Sequence, residues 1–383
     1  YIAETYNVTI DEATFSYPVD FSAEARRELR EAASRAGIKA LSFVSESTGA
    51  YLANKEECAA FSNVLVLDWG GGTLDISVLN LHFTEVKEVA VSGRRVGGDD
   101  IDRALAERMH SHIAAKSGLE NVCSFESMKP NEQDSLIVLC ENAKMNISDF
   151  NEGENEYSIT VMDYGMFGTK TERLTTEQFN QIIEPIILGE ILPSIEEALK
   201  KASMPRESIG AVLVVGGSSN LRLYEYAVMN LFPSAKVIFP EKRQWSTAEG
   251  AALTQLIGAS AKLNEPLGVL LSDGTVFPIF DTGSAAGDKR GPISFSLTED
   301  VEDAHFIFTD KSGMKTYQTL TVPTKGYFTE KLELYAELRE EQTAEVRVVN
   351  RSMGDEFQKC EINKLTFFYD AKPLENVSYR WMY

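Results

Sequence analysis

A chain of 383 residues is long enough for two to three domains with sizeable cores. Its net charge of −21 argues against a nucleic-acid backbone as partner, because such binders cluster lysine and arginine. A single triphosphate is not excluded, since it asks only for a local nest of backbone N–H groups. No run approaches the roughly 20 apolar residues of a membrane span, no signal peptide is visible, and no membrane partner is expected. The four cysteines (Cys58, Cys123, Cys140, Cys360) include no CxxC pair, so free thiols in a reducing cytoplasm are expected. Asn-X-Ser/Thr triplets at Asn7, Asn146, Asn350 and Asn376 then read as chance matches.

The first 58 residues read as strand, helix, strand, helix. Ala13 to Tyr17 is extended and stops at Pro18, and Ser22 caps a helix that ends at Gly37. Ala40 to Val44 is a short buried strand, and Ser47 and Thr48 open the next helix. From Asn63 a meander follows: Val64 to Leu67, Leu74 to Leu79 and Phe83 to Val91. Asp99 to Lys116 is a helix with Ile101, Leu105, Met109 and Ile113 on one face. A second helix, Glu132 to Ile147, turns Leu136, Cys140, Ala143 and Ile147 inward. A hairpin from Tyr157 to Arg173 leads to a long helical stretch opened by a Thr175–Gln178 capping box, with kinks expected at Pro185 and Pro193. Ala211 to Val215 is a buried strand closed by Gly216-Gly217-Ser218, and a helix follows. Residues 258 to 266 read as a polar connector. Beyond it, alternating strands at Val276–Phe280, Ile293–Leu297, Ala304–Phe308, Lys331–Leu338, Ala344–Val349 and Lys364–Tyr369 predict a β-sandwich. The acidic run Glu337 to Glu345 reads as a solvated edge or turn.

Three constellations carry chemistry. Asp68-Trp69-Gly70-Gly71-Gly72-Thr73-Leu74-Asp75 sits at the tip of a strand–turn–strand. Three successive glycines let the backbone aim several N–H donors at phosphate oxygens, Asp68 suits the water shell of a Mg²⁺, and Thr73 can donate to a phosphate. The alternative is a plain glycine hairpin turn. Val215-Gly216-Gly217-Ser218-Ser219 lies between a strand and a helix, where small residues admit a flat ligand and a helix N-terminus adds favourable dipole. Glycine-rich packing of that turn is equally open. Glu141 and Lys144, at i and i+3, share a helix face; they suit either the hydroxyls of a ribose or a solvated ion pair. His110 and His112 lie about 200° apart around their helix and make no metal pair. No Ser-His-Asp or Cys-His constellation is evident.

Taken in order, these residues reach a resemblance. With Tyr17-Pro18-Val19-Asp20-Phe21, Ser45-Glu46-Ser47-Thr48-Gly49-Ala50, Val96-Gly97-Gly98-Asp99-Asp100-Ile101-Asp102, Glu141-Asn142-Ala143-Lys144 and Glu249-Gly250-Ala251-Ala252, the chain resembles the heat shock protein 70 family, the DnaK-like chaperones. The resemblance implies an α/β, actin-like (ribonuclease-H-like) ATPase domain over 1–257, a linker over 258–266 and a β-rich, sandwich-like substrate-binding domain over 267–383. It implies ATP or ADP with Mg as cofactors, unfolded polypeptides and co-chaperones as partners, and a cytoplasmic location. By the same resemblance, Glu46, Asp68 and Thr73 are catalytic, with Asp68 meeting the metal through water. Gly70, Gly71, Gly72 and Asp75 belong to the phosphate hairpin, and Gly97, Gly98, Glu141, Lys144, Gly216, Gly217 and Ser218 line the adenosine pocket. Pro18 and Arg26 match positions that relay nucleotide state.

The chain also departs from the family. Roughly the first third of the ATPase domain has no counterpart, including the first phosphate hairpin and a lysine that assists hydrolysis, so Tyr1 reads as a truncation and turnover is expected to be impaired. Met145 and Asn220 replace the adenine-sandwiching arginines, a loss of roughly 0.5–2 kcal/mol each that Arg222 is placed to offset. Gln244 replaces an acidic residue, the connector has only Leu263 in place of a hydrophobic-acidic linker, and no helical lid follows. Three functions remain in view: an ATP-dependent chaperone, a nucleotide-sensing scaffold or co-chaperone with little turnover, and a sugar-kinase-like phosphotransferase on the same fold.

Overall fold

The computed structural model describes residues 5–19, 21–119, 123–148 and 155–371. Asp20, the Asn376 triplet and both chain ends lie outside them. The chain forms two compact units, one of Tyr1–Leu52, Asn80–Glu88 and Ala248–Tyr383, the other of Ala53–Leu79 and Val89–Thr247. No helix among the described residues is long and apolar enough to cross a membrane.

The first unit opens with β1 (Glu12–Tyr17), α1 (Ala23–Arg35), β2 (Lys39–Ser45) and α2 (Glu46–Ala53). Ser22 caps α1 as its spacing suggests, accepting from the Ala25 N–H at 3.2 Å. Gly37, with φ +78, takes the left-handed turn that lets Lys39 pair back with Asp11. β1 and β2 pair in parallel, Phe15 opposite Phe43.

The second unit begins at α3 (Lys55–Cys58) and the meander β3 (Asn63–Trp69), β4 (Leu74–His82) and β5 (Glu85–Arg94). Between them and β8 (Ala211–Val215) run α4 (Gly98–Lys116), α5 (Pro130–Ser148), the hairpin β6 (Glu156–Val161) and β7 (Lys170–Thr175), α6 (Thr176–Ile186) and α7 (Leu192–Lys201). β8 joins β3 in parallel, Val64 opposite Ala211, and is followed by α8 (Arg222–Leu231) and β9 (Lys236–Ile238), giving the order β5-β4-β3-β8-β9. Central parallel strands are buried on both faces, which is why Val64 to Leu67 and Ala211 to Val215 are uninterrupted apolar runs. The expected inward faces of α4 and α5 are the buried ones, Ile101, Leu105, Met109 and Ile113 against Leu136, Cys140, Ala143 and Ile147. Each large side chain so buried contributes roughly 1.5–3 kcal/mol, so packing rather than helix propensity holds these helices. His110 shares that core: its ring nitrogens meet the Tyr164 hydroxyl at 2.9 Å and the Cys123 carbonyl at 3.0 Å. The Thr175–Gln178 capping box forms with both of its bonds. The two prolines do more than bend the stretch behind it: a π-helical turn, Ile187–Ile191, separates α6 from α7.

The chain then returns to the first unit. α9 (Ser246–Leu256) leads to β10 (Ser260–Leu263), β11 (Leu267–Leu270), β12 (Val276–Phe280), β13 (Lys289–Ser296), β14 (Asp303–Thr309), β15 (Thr316–Pro323), β16 (Lys331–Leu338), β17 (Ala344–Asn350), β18 (Phe357–Ile362) and β19 (Phe367–Asp370). Two four-stranded sheets, β12-β11-β14-β15 and β13-β16-β17-β18, share a core that includes Phe280, Phe306 and Phe308 from one and Leu334, Val346 and Val348 from the other. α9 meets α2 backbone to backbone: a Cβ on Gly250 would lie 1.7 Å from the Gly49 carbonyl oxygen. Two of the motifs behind the family resemblance are thus two sides of one close helix contact.

Three expectations are corrected here. Residues 258–266 are not a plain connector, because β10 pairs antiparallel with β19, Ala261 and Leu263 are buried, and Lys262 meets Asp370 at 2.5 Å. Four alternating residues are too short a signal to stand out before the partner strand is known. The last strand is Phe367–Asp370 rather than Lys364–Tyr369, and it leaves the sandwich to pair with β10 and, at Val86, with β5. The acidic run is not a solvated turn: Glu341 and Thr343 are fully buried, the Glu341 carboxylate meets Arg30 at 2.9 Å, and its carbonyl accepts from Arg26 at 2.9 Å. A carboxylate tolerates burial when charge-paired, and both arginines come from α1, some 310 residues earlier. β11, β15 and β18 went unread, being short or weakly alternating.

Candidate functional site

The site grows from the β3–β4 turn in the second unit. The Gly70 N–H donates to the Thr73 carbonyl at 2.9 Å, which closes the turn and leaves Gly71, Gly72 and Thr73 at an exposed tip. The hairpin rests on the N-terminus of α4: Gly98 N–H donates to Gly70 O at 3.1 Å and Asp99 N–H to Gly71 O at 2.8 Å. Asp100 caps the same helix by accepting from the Gly97 N–H at 2.8 Å. The contact is so close that a Cβ on Gly97 would lie 2.1 Å from the Gly71 oxygen. Below the turn, the buried Trp69 indole donates to Val96 O at 3.2 Å. The third wall is the β8–α8 turn. Gly216 has φ +86, and a Cβ there would lie 2.4 Å from Trp69 O and 2.5 Å from Asp68 Oδ1. Ser218 Oγ donates to Gly70 O at 2.8 Å. Glycine motifs more than 140 residues apart therefore converge on Gly70 and Gly71.

Where these walls meet is a cleft of about 520 Å³. Of the expected residues it brings together Gly71, Gly98, Glu141, Lys144, Gly217 and Ser218, and it adds Asp99, Met145, Ser148, Asn220, Leu221 and Gln244. Gly70, Gly72 and Thr73 belong to the adjoining turn, Gly97 and Gly216 press against it from behind, and Asp75 is buried on β4. Glu46 opens α2 in the first unit, half-buried, as are Pro18 and the Arg26 that stacks over Tyr17. Glu141 and Lys144 are not an ion pair: Lys144 donates to Asp102 Oδ2 at 2.6 Å and to Gly98 O at 3.1 Å. Asp102, one helical turn after Gly98, offers a carboxylate at short range across the two helices, whereas Glu141 stands exposed on Lys144's own helix. Arg222 does not line the cleft; it is the exposed first residue of α8.

Sequence reasoning missed the cleft-lining Ser148 and Leu221, and two polar partners of expected site residues, Thr247 and Asp102. Thr247 Oγ1 donates to Asp68 Oδ2 at 3.1 Å and lies two residues before the Glu249-Gly250 motif; a hydroxyl there carries no signal of its own. Asp102 ends the Val96 motif, and only its spacing of four from Gly98 hinted at a shared face. Burial pushes the Asp68 carboxyl up to about 6; the Thr247 hydrogen bond opposes that rise and Asp75 adds to it.

The site fits a nucleotide with its magnesium better than a resident metal. Among the described residues no group of three His, Cys, Asp or Glu stands ready to hold an ion. A Mg²⁺ held at Asp68 would take its other ligands from waters and from the oxygens of a nucleotide. The cleft has the volume of a small-molecule site, and its glycines leave the backbone open to a flat ligand. Over residues 2–264 the chain matches the family model described as Hsp70 protein. The chain belongs to the Hsp70 family. Membership implies an actin-like ATPase fold, with which the mixed α/β architecture and its several sheets agree, and a chaperone-type, nucleotide-binding function in general.

The raised Asp68 carboxyl gives this Hsp70-family chain a definite pH response. Because its folded value lies above the ordinary 3.8, the ionised form is the disfavoured one in the folded state, so protonation between about pH 6 and 4 relieves a penalty rather than removing stability. In the nucleotide reading proposed below, Asp68 serves the magnesium's water shell in its ionised form. Mg-nucleotide affinity is expected to fall about tenfold per pH unit below 6 while thermal stability does not fall in step. Titrations at pH 7.5, 6.0 and 5.0 check this, and an affinity independent of pH contradicts it.

Proposed function

We propose that this chain is an ATP-binding chaperone of the Hsp70 type whose nucleotide regulates the holding of unfolded polypeptide. The observation that carries the reading is the convergence of the Gly70–Thr73 hairpin, the α4 N-terminus and the Gly216–Ser218 turn on one cleft. In this reading Asp68 meets the metal through water, Gly71, Gly72 and Thr73 hold phosphate oxygens, and Gly98, Glu141, Lys144 and Ser218 surround the nucleoside. When bound, Mg-ATP supplies the phosphoryl chemistry; the chain's own residues position it and hold the metal's water shell. Glu46 is assigned to that shell by family resemblance. The β-sandwich contributes a groove of about 680 Å³ lined by Val269, Leu271, Phe277, Phe295 and Phe306, which suits an extended apolar peptide. The location that goes with this reading is the cytoplasm, and co-chaperones are its expected further partners.

A second reading, a nucleotide sensor or scaffold with little turnover, is favoured by a specific observation: Met145 and Asn220 line the cleft without cationic stacking, and Lys144 is already paired. A sugar phosphotransferase is disfavoured by the attached sandwich. Calorimetric titration with Mg-ATP is the test, with Asp68→Asn in parallel, since that change keeps the Thr247 hydrogen bond and removes the charge. Binding weakened at least tenfold by Asp68→Asn supports the reading. Absence of binding to the folded chain refutes it. Steady-state turnover with and without an unfolded peptide then separates chaperone from sensor.

A further inference from the structure

The β8–α8 turn, residues 216–220, supplies one wall of the cleft through Gly217, Ser218 and Asn220. Its internal bonds are short-range: Ser219 Oγ donates to Gly216 O at 2.6 Å, Asn220 Nδ2 to Gly217 O at 3.0 Å and the Leu221 N–H to Ser218 O at 3.3 Å. Its two ends are both held by one residue from further along the chain. The Arg243 carbonyl accepts from the Gly216 N–H at 3.2 Å, and its guanidinium Nη1 donates to Ser219 O at 2.8 Å. Through Nη2 the same guanidinium pairs with Glu225 of α8 at 2.8 Å, and it lies over the Phe239 ring, 5.0 Å from the centroid. A planar fork serves these partners together, whereas an ammonium has no such fixed geometry. The Arg243 side chain is only 12% exposed, and its Nε is buried with no partner, which the charge-assisted bonds at the other two nitrogens offset. Arg243 does not line the cleft, but Gln244, the next residue, does.

We propose that Arg243 is a positioning residue for nucleotide binding: it clamps both ends of the 216–220 turn and so fixes the wall that the nucleoside meets. The proposal rests on the nucleotide reading above. On its other side the turn has no slack, because a Cβ on Gly216 would lie 2.4 Å from Trp69 O and 2.5 Å from Asp68 Oδ1. The turn can relax only away from β3. The Arg243 bonds oppose that movement, together with the bond from Ser218 Oγ to Gly70 O at 2.8 Å. Misplacement by about 1 Å can cost a binding constellation roughly a hundredfold; with the Ser218 bond still in place, a loss of about tenfold is expected. Arg243 does not reach the ligand itself and acts through the turn.

The test is calorimetric titration of Mg-ATP and of adenosine, with thermal unfolding on the same samples, for the wild-type chain, Arg243→Met and Glu225→Gln. Arg243→Met removes every side-chain donor, whereas Glu225→Gln removes the ion pair and leaves the bond to Ser219. Arg243→Met is expected to weaken Mg-ATP and adenosine by the same factor, about tenfold, because the loss lies on the nucleoside side. Glu225→Gln is expected to lower the thermal transition while changing both affinities by less than about twofold. Equal losses of affinity in the two variants overturn the proposal, since a merely structural role follows stability. Unchanged affinities in Arg243→Met, or a loss confined to Mg-ATP, overturn it as well. If Arg243→Met does not fold, Arg243→Lys decides: it keeps a charge beside Glu225 without the fork, and undiminished Mg-ATP affinity in it overturns the proposal. If adenosine binds the wild-type chain too weakly to titrate, the Mg-ATP comparison with Glu225→Gln decides. A folded wild-type chain that binds no Mg-ATP removes the nucleotide reading and this inference with it.

Discussion

Gly250→Ala is expected to destabilise the folded chain by about 3 kcal/mol, the largest stability effect among the glycine sites discussed. The reason is steric. The added methyl would lie 1.7 Å from the Gly49 carbonyl oxygen and 2.4 Å from its carbon, and both belong to backbone that cannot rotate away. Relief requires α9 to move off α2. That shift would disturb the hydroxyl and amide bonds that α9 makes to β1 and β2 through Thr254 and Gln255. Thermal unfolding followed by circular dichroism is the measurement, and a fall of several degrees is the expected result. Gly72→Ala is the comparison, because a Cβ there meets nothing within 4 Å and its transition should stay within about 0.5 kcal/mol of wild type. Equal transitions for the two variants would mean that the two helices do not approach closely enough to exclude a methyl group at residue 250.

Gly97→Ala is expected to lower both stability, by about 2 kcal/mol, and Mg-ATP affinity, at least tenfold. Its backbone is extended, with φ −154, so no conformational strain is involved. The methyl meets the Gly71 carbonyl at 2.1 Å and the Gly72 nitrogen at 2.6 Å. The hairpin can yield only by sliding off α4, which breaks the bonds from Gly98 and Asp99 to the Gly70 and Gly71 carbonyls. The tip that is assigned to the phosphates would move with it. Calorimetry and thermal unfolding on the same samples distinguish the outcomes. Lost stability with intact affinity would show that the hairpin does not act as a phosphate clasp.

The site glycines were legible as types and only partly as reasons. Three glycines after Asp68 read as a phosphate turn, and the structure adds that the Gly70 and Gly71 carbonyls accept from α4 and Ser218. Gly97 and Gly216 read as pocket lining, yet each is held to glycine by a backbone contact behind the pocket. Lys144 read as a ribose contact or a partner of Glu141, and it is Asp102 that holds it. A helical i, i+3 relation is visible along one chain segment, whereas a pair between α4 and α5 depends on how two helices pack.

By itself the sequence determined the element types and the inward faces, since periodicity, caps and turn residues act over a few neighbouring positions: the Thr175 cap, the α4 and α5 stripes and the β3–β4 turn all follow from such local rules. The collinear motifs likewise carried the family. Tertiary structure alone decided which short segments become strands and which charges are buried. Ser260–Leu263 is a strand because Phe367–Asp370 pairs with it, and Glu341 is buried because Arg30 comes to meet it. Both depend on partners about a hundred to three hundred residues away, where the free energy of the contact is not written in either segment until the chain has folded.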